Sequence, residues 1–309
     1  MPAQTPETPD HPGAAKASAH PATGVVIPAH RPDSRLVTSV VSLRRSLDAV
    51  VVVLDEKDPD ATSLAVLAEC REAGARVVEL GVNRGIGAAL NAGIEVLRSS
   101  VEDLGHVLTL DQDSVVPDGY VEALLEAQRH AVAHGVRVAM VAPESVDSVA
   151  RLRAGRRRRD GVVIGDEPIQ SGLLVPVSTL DDLGTFDETL FIDGVDTDFY
   201  LRARTAGRHC VLAIGTRLEH RLGRAITVAG GRELPFPVSA DFRYHYQCRN
   251  TLLLLRRHAT RHPVWAVRAV GKLARHLVIV TVLAPGRQRR LGHVRRGLAA
   301  GLRGRSGPI

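Results

Sequence analysis

The tetrapeptide Asp111-Gln112-Asp113-Ser114 closes an apolar run from His106 to Leu110. Carboxylates one residue apart point to opposite faces of a strand, but in a turn both can lean toward one point. There they repel each other unless a cation sits between them. A hard divalent ion takes such oxygens and can carry a diphosphate on its far side. For an isolated Asp-X-Asp the plain alternative is a solvated turn.

A second acidic group stands at Phe191-Ile192-Asp193-Gly194-Val195-Asp196-Thr197-Asp198. Asp196 or Thr197 can N-cap a helix beginning near Phe199 and carrying Leu201, Arg202 and Arg204. Capping accounts for one carboxylate, not for three within six residues. A carboxylate held there can serve as a general base. His220 follows 24 residues after Asp196, and its imidazole suits a third protein ligand to a metal.

Between these groups lies Asn83-Arg84-Gly85-Ile86-Gly87-Ala88-Ala89-Leu90-Asn91-Ala92-Gly93. Gly85 and Gly87 open a helix, where free N–H groups and the helix dipole favour a phosphate. The small residues also permit close packing of helix on sheet. Packing suffices for the segment alone; Asp111 and Asp113 one strand later favour a nucleotide. The first strand lacks the glycine-rich turn of a dinucleotide site.

The elements that must position these residues follow from periodicity. Apolar runs rich in β-branched residues recur at Val25 to Ile27, Val50 to Leu54, Arg76 to Leu80 and Val107 to Leu110. Leu36, Val40, Leu43 and Leu47 keep the helical period, as do Ile86, Leu90, Ile94 and Leu97. The alternation predicts an α/β chain whose mostly parallel sheet is covered by helices on both faces. Ligands of such sheets bind beyond the carboxyl ends of the strands, where Pro28, Asp55 and Asp111 fall.

The 309 residues allow one large domain and an appendage. Aromatic content of 3% argues against nucleic-acid binding by stacking. Cys70, Cys210 and Cys248 lack metal-like spacing and fit a reducing compartment. Residues 1–22, rich in Pro, Ala and Thr without an apolar core, read as a disordered tail rather than a signal peptide or anchor. The net charge of +6 conceals an asymmetry: residues 242–309 hold 15 Lys and Arg and no Asp or Glu, leaving 25 basic against 34 acidic residues elsewhere. The basic segment wants an anionic partner, either a membrane surface or nucleic acid, and the acidic balance of the rest argues against nucleic acid.

Taken in order, Val26-Ile27-Pro28, Asp55, the 83–93 segment, Leu108 to Ser114, the later Asp cluster and His220 resemble the inverting GT-A glycosyltransferases that use nucleotide-diphosphate sugars. The resemblance covers about Thr23 to Gly223. It is closer to bacterial rhamnosyltransferases, through Asp111 to Ser114, Ser171-Gly172, Phe191 to Arg202 and Tyr244 to Asn250. Galactofuranosyltransferases are related.

The resemblance implies a Rossmann-like GT-A domain at 23–241 and a basic helical segment at 242–309. Backbone around Val26 and Pro28, with Asp55 and Arg84, would hold base and ribose. Asp111 and Gln112 would lie against ribose and diphosphate. Asp113 and His220, with Asp111 as a further candidate, would hold Mn²⁺ or Mg²⁺. Asp196 would deprotonate the acceptor hydroxyl, with Asp193 as its rival. The implied donor is dTDP-L-rhamnose, with UDP-galactofuranose as the alternative. The implied acceptor is a cell-envelope glycan, lipid-linked, at the cytoplasmic membrane face. Two departures stand out. Val195 occupies a position where most of the wider family has Glu, and Leu54-Asp55-Glu56-Lys57-Asp58 lacks the usual Asp-Asn-X-Ser form.

Arg151, Arg153 and Arg156 to Arg159 form either a solvated loop or a mobile flap that meets the donor diphosphate or an anionic lipid acceptor. Tyr244, Cys248, Leu252 and Leu255 share one helix face. Val264 to Ala284 is apolar but interrupted by Arg268, Lys272 and Arg275, and the unbroken part from Leu277 is far shorter than the roughly 20 residues of a membrane span. An amphipathic helix in the membrane interface fits, with Trp265 near the headgroups and Arg287, Arg289, Arg290, Arg295 and Arg296 on anionic lipid. The alternative is a basic helical subdomain packed on the core. Two rival functions remain. One is a phosphatase of the haloacid-dehalogenase type with Asp111 as nucleophile. The other is a non-catalytic basic adaptor.

Overall fold

The computed structural model describes residues 21–146, 154–219, 224–227, 233–283 and 286–309. Strands β1 (Ala22–Ala29), β2 (Ala49–Leu54), β3 (Arg76–Glu79) and β4 (Leu104–Thr109) alternate with helices α1 (Ser34–Leu43), α2 (Ala61–Glu72) and α3 (Ile86–Ser100). They pair in parallel, in the order β3-β2-β1-β4. After α4 (Tyr120–Ala133) come β5 (Val138–Val146), β6 (Ala154–Arg157), β7 (Val163–Gly165) and β8 (Leu173–Pro176). Then follow α5 (Val177–Leu183), α6 (Val195–Thr205) and β9 (His209–Leu218). The sheet continues β4-β8-β5-β9-β7-β6, with β7 and β8 running against the rest. A separate hairpin pairs β10 (Arg224–Thr227) with β11 (Glu233–Val238).

Alternation along the strands divides the core into two layers. Val25, Ile27, Val50 and Val52 pack with Leu36, Val40, Leu67 and Leu124 of α1, α2 and α4. Val26, Val51, Val53 and Val107 face the other way, onto Leu90, Ile94 and Leu97 of α3 and Phe199 of α6. Burial of both faces is why β2 reads Ala-Val-Val-Val-Val-Leu without a polar break. Asp33 and Asp60 cap α1 and α2, accepting from the N–H groups of Arg35 and Ser63. The sandwiched α/β sheet predicted from the alternation is the observed architecture.

The C-terminal helices α7 (Arg243–His258), α8 (Pro263–Leu283) and α9 (Arg287–Leu302) join this second layer rather than standing apart. Leu253 and Leu254 of α7 and Trp265 of α8 are buried in it. A Cβ on Gly297 of α9 would overlap the carbonyl of His245, so α7 and α9 approach backbone to backbone. Two membrane expectations are thereby corrected. Trp265 is a core residue, only 9% exposed, and Arg290 is 2% exposed with its guanidinium over the Tyr244 ring. Among the described residues no helix is long and apolar enough to cross a membrane. The three cysteines are buried and free. Arg158 is tied to Asp160 at 3.0 Å and Arg156, Arg157 and Arg159 are exposed, while Arg151 and Arg153 lie outside the described residues, as does the tail at 1–20.

Candidate active site

The strand ends are sewn together by polar groups. The Gln112 amide accepts from the N–H of His30 at 2.8 Å and donates to its carbonyl at 3.1 Å. His30 Nδ1 lies 3.1 Å from the Asp55 carbonyl. The Asp55 carboxylate accepts the N–H groups of Arg84 at 2.5 Å and Gly85 at 2.7 Å. Burial pushes the Asp55 pKa up and those two N–H bonds counter it. The Arg84 guanidinium is paired with Glu188 at 3.0 Å. Of the residues expected to bind the nucleotide sugar, Asp55, Arg84 and Gln112 thus brace loops, and the Val26 side chain is fully buried against α3. Pro28 lies within β1 rather than ending it. Val26 is the last β1 residue paired with β4, so the missing Pro28 N–H leaves no ladder bond unmade.

The glycine-rich segment is a packing device. Gly85 has φ +93°, and a Cβ there would overlap the backbone of Phe191. Ile86 donates to the Phe191 carbonyl at 2.8 Å. With Arg84 and Gly85 committed to Asp55, these donors at the start of α3 are spent inside the protein, so the phosphate-cradle expectation gives way to close packing.

The Asp111–Ser114 turn is fixed from beneath by the Ser-Gly step. Asp111 N–H donates to Ser171 Oγ at 3.0 Å, and the Ser171 and Ser114 hydroxyls lie 2.7 Å apart. Gly172, at φ +85°, stands where a Cβ would press on the Tyr120 hydroxyl. Asp111 opens onto a cavity of about 490 Å³ that also holds Asp193 and Asp196. Asp113 lines a different cavity, of about 420 Å³, with Arg35 and Glu219. Val115 bonds to the Glu219 carbonyl at 2.9 Å, bringing the end of β9 beside the turn. His220, next in the chain, lies outside the described residues. Among the described residues no group of three or more His, Cys, Asp or Glu is assembled. The carboxylates that are present, Asp111 and Asp113, are hard oxygen donors. As a type of donor they suit Mg²⁺ or Mn²⁺, since Mg²⁺ usually takes one or two carboxylates and completes its shell with phosphate and water, although the two open onto different cavities.

The loop entering α6 carries the third element of the site. Phe191 (φ 67°), Asp193 (φ 63°) and Gly194 (φ 92°) are left-handed, a conformation that costs energy for the two non-glycine residues. Asn250 holds the loop by bonding the carbonyls of Leu190 (2.9 Å), Ile192 (2.8 Å) and Asp193 (2.7 Å). The buried Arg249 adds a bond to Leu190 O at 2.9 Å. The Phe191 ring stacks on Tyr246, centroids 4.9 Å apart.

Its three carboxylates have different fates. Asp193 is clamped by Arg243 through two bonds of 2.5 and 3.1 Å. Asp198 is buried between Arg202 at 2.7 Å and His258 at 3.0 Å, tying α6 to α7. Asp196 accepts the N–H of Thr197 at 2.8 Å and faces the cavity. The helix begins at Val195 with Gly194 as its cap, so Asp196 sits in the first turn instead of capping it. Burial, then the neighbouring Glu167, push its pKa up to about 6, against the pull of Lys272. A carboxylate with a pKa near neutrality is suited to accept a proton.

Four cavity residues escaped the sequence reading of the site. Glu167 accepts a bond from the Thr197 hydroxyl. Gln170 is buried, and its Nε2 has no partner among the described residues. Arg243 and Lys272 arrive from α7 and α8. The available signals were a buried-type glutamine before the Ser-Gly step and a lysine interrupting an apolar helix.

Residues 24–166 match the model of glycosyl transferase family 2. The chain is 24% identical over 296 residues to the dTDP-rhamnosyl transferase RfbF of Shigella flexneri, covering 91% of this chain and 96% of that protein. It also resembles in fold the glucosyl-3-phosphoglycerate synthase of Mycobacterium tuberculosis, solved with Mg²⁺ and uridine diphosphate. That likeness has a TM-score of 0.51 and 17% identity, and covers 79% of this chain and 81% of that one. Neither the phosphatase nor the non-catalytic adaptor reading survives these likenesses. The chain is a glycosyltransferase of GT-A fold, with its likeness to family 2 lying in residues 24–166.

Proposed function

We propose that the protein transfers a sugar, with inversion, from a nucleotide-diphosphate donor to a hydroxyl of a lipid-linked glycan. The observation that carries this reading is the opening of Asp111 and Asp196 onto one cavity, with Asp196 spared the ion pairs that occupy Asp193 and Asp198. Asp196 takes the proton of the acceptor hydroxyl as its oxygen attacks the anomeric carbon. The bond from that carbon to the diphosphate breaks in line, and the diphosphate leaves with the electron pair. Asp193, bound to Arg243, is the weaker candidate for base, because its lone pairs already face a guanidinium.

Asp113 and His220, with Asp111, are the residues that would hold Mn²⁺ or Mg²⁺. Bound there, the ion supplies positive charge against the leaving diphosphate. Gln170 directs its unpartnered amide at the bound sugar or phosphate. The donor is dTDP-L-rhamnose, a reading supported by the similarity to RfbF. The work is done at the inner face of the cell membrane, a reading supported by the basic C-terminal segment.

The test is nucleoside-diphosphate release from a panel of nucleotide sugars, with lipid-linked acceptor extract and Mn²⁺ or Mg²⁺, wild type beside Asp196→Asn. Metal-dependent release from dTDP-rhamnose, lost in the variant, is the expected result. Release only from UDP-galactofuranose would keep the mechanism and replace the donor. Full activity of Asp196→Asn would remove the assigned base.

A further inference from the structure

Helix α8 has three faces, and one of them has no partner among the described residues. Trp265, Leu273 and Val280 face the protein. Arg268 and Lys272 mark a basic flank: Arg268 lies 3.5 Å from Asp166, and Lys272 borders the cavity of Asp196. Arg275 continues that flank at helical spacing and is exposed. The third face is aliphatic. Val264 is 63% exposed, Val267 75%, Val270 48%, Val278 62% and Val282 67%. Gly271 and Ala274 lie between them, also exposed. At 100° per residue these positions form one stripe, about 27 Å long, bordered along one side by Arg268, Lys272 and Arg275.

A soluble surface scatters its exposed valines; an unbroken aliphatic stripe along a whole helix marks a contact surface. Its occupant is indicated by charge. The stripe lies in a segment of 15 basic and no acidic residues, beside a body of opposite balance. A protein partner could be neutral or of either sign, but a bilayer with anionic headgroups is apolar within and negative at its surface, matching stripe and flank together.

We infer that α8 lies on an anionic phospholipid bilayer, with Val264, Val267, Val270, Val278 and Val282 in the acyl region and Arg275 among the headgroups. The contact face is therefore the valine stripe and not Trp265 or Arg290, which are buried. Because Lys272 sits on the same helix and borders the catalytic cavity, docking brings the rim of that cavity to the lipid surface. The inference rests on the membrane reading above and gives it a surface; the exposed stripe and its basic flank carry it, and its test does not depend on sugar transfer.

The purified full chain is sedimented with vesicles of phosphatidylcholine, with and without phosphatidylglycerol. Variants Val267→Asp/Val278→Asp and, as a control on α4, Val132→Asp are compared after thermal melts establish that each is folded. Wild type should bind the anionic vesicles and release at high salt. The double variant should bind at least about tenfold more weakly, and the control should match wild type. Equal binding by wild type and double variant would overturn the inference, as would wild-type indifference to anionic vesicles. A dimer in velocity sedimentation, abolished by the double variant without any vesicle binding, would overturn it in favour of a second copy of the chain. Loss of vesicle binding with retained transfer to a water-soluble acceptor would separate docking from catalysis.

Discussion

Asp55 and Asp196 are both buried or half-buried carboxylates with raised pKa values, and both sit beside a left-handed loop. At Asp55 the carboxylate does the holding: its two oxygens fasten Arg84 and Gly85. At Asp196 others do the holding: Asn250, Arg249 and Arg243 fix residues 190–193 through their carbonyls and the Asp193 side chain. In the proposed mechanism this difference leaves Asp196 available to a substrate proton and Asp55 not. A strained loop needs hydrogen bonds from somewhere, and an acid that provides them cannot also turn over.

The sharpest way to break that contrast is to exchange the acids for amides. Asp196→Asn should lower kcat/KM by about 10³-fold, within the usual range for losing a general base, with the donor KM little changed. Asp55→Asn should instead lower the melting temperature, by about 1–3 kcal/mol of stability, because an amide presents N–H where Arg84 and Gly85 also present N–H. Donor KM should stay within about twofold; a rise of about tenfold without loss of stability would make Asp55 a nucleotide ligand after all. Asn250→Ala should do both in part. Three loop carbonyls lose a donor, stability falls by roughly 2 kcal/mol in urea titration, and kcat falls although Asn250 touches no substrate.

The two replacements differ in sign at neutral pH, although burial raises both pKa values. A folded-state pKa of about 6 against 3.8 means that the fold prefers Asp196 uncharged. Wild type therefore loses stability as pH rises from about 4 to about 6, and keeps the penalty above that. Asp196→Asn should melt higher than wild type at pH 7, by roughly 1–2 kcal/mol after solvent screening at the cavity mouth, and the gain should vanish near pH 4. Activity should rise as Asp196 ionises near pH 6. The smallest expected effect lies in moving that limb. Glu167→Gln should shift it to lower pH and Lys272→Ala to higher pH, each by less than about one unit in kcat/KM profiles.

Much of the N-terminal body is readable from periodicity alone. Val25, Val26 and Ile27 alternate between two core layers, and Leu90, Ile94 and Leu97 keep the helical period because α3 must lie flat on the sheet. The loop entering α6 is less readable, because its shape depends on partners far along the chain. No local pattern announces that Phe191 and Asp193 are left-handed, since Asn250 pays for both from 57 and more residues away. The acidic cluster marked the region and the resemblance put Asp196 before Asp193, but which members already have cations is seen only in the structure. The glycine-rich segment misled for a related reason: small residues satisfy a phosphate and a close-packed loop equally well, and only Phe191 and Asp55 decide between them. Trp265 looked interfacial because a tryptophan in an apolar helix satisfies a membrane belt and a core alike.

The hold of Asn250 and Arg249 on the 190–193 loop also sets an order in time. During synthesis residues 190–196 leave the ribosome well before α7 does, at a rate of about 5–20 residues per second. Until Asn250 arrives, the left-handed backbone at Phe191 and Asp193 has the Ile86 bond to the Phe191 carbonyl but not the three bonds of Asn250, and Asp196 is not yet held in its final direction. The strands and their first helices can assemble meanwhile, from contacts already available. The nascent enzyme should therefore acquire its sheet seconds before its proposed base is fixed, and remain catalytically silent until its basic helices have docked.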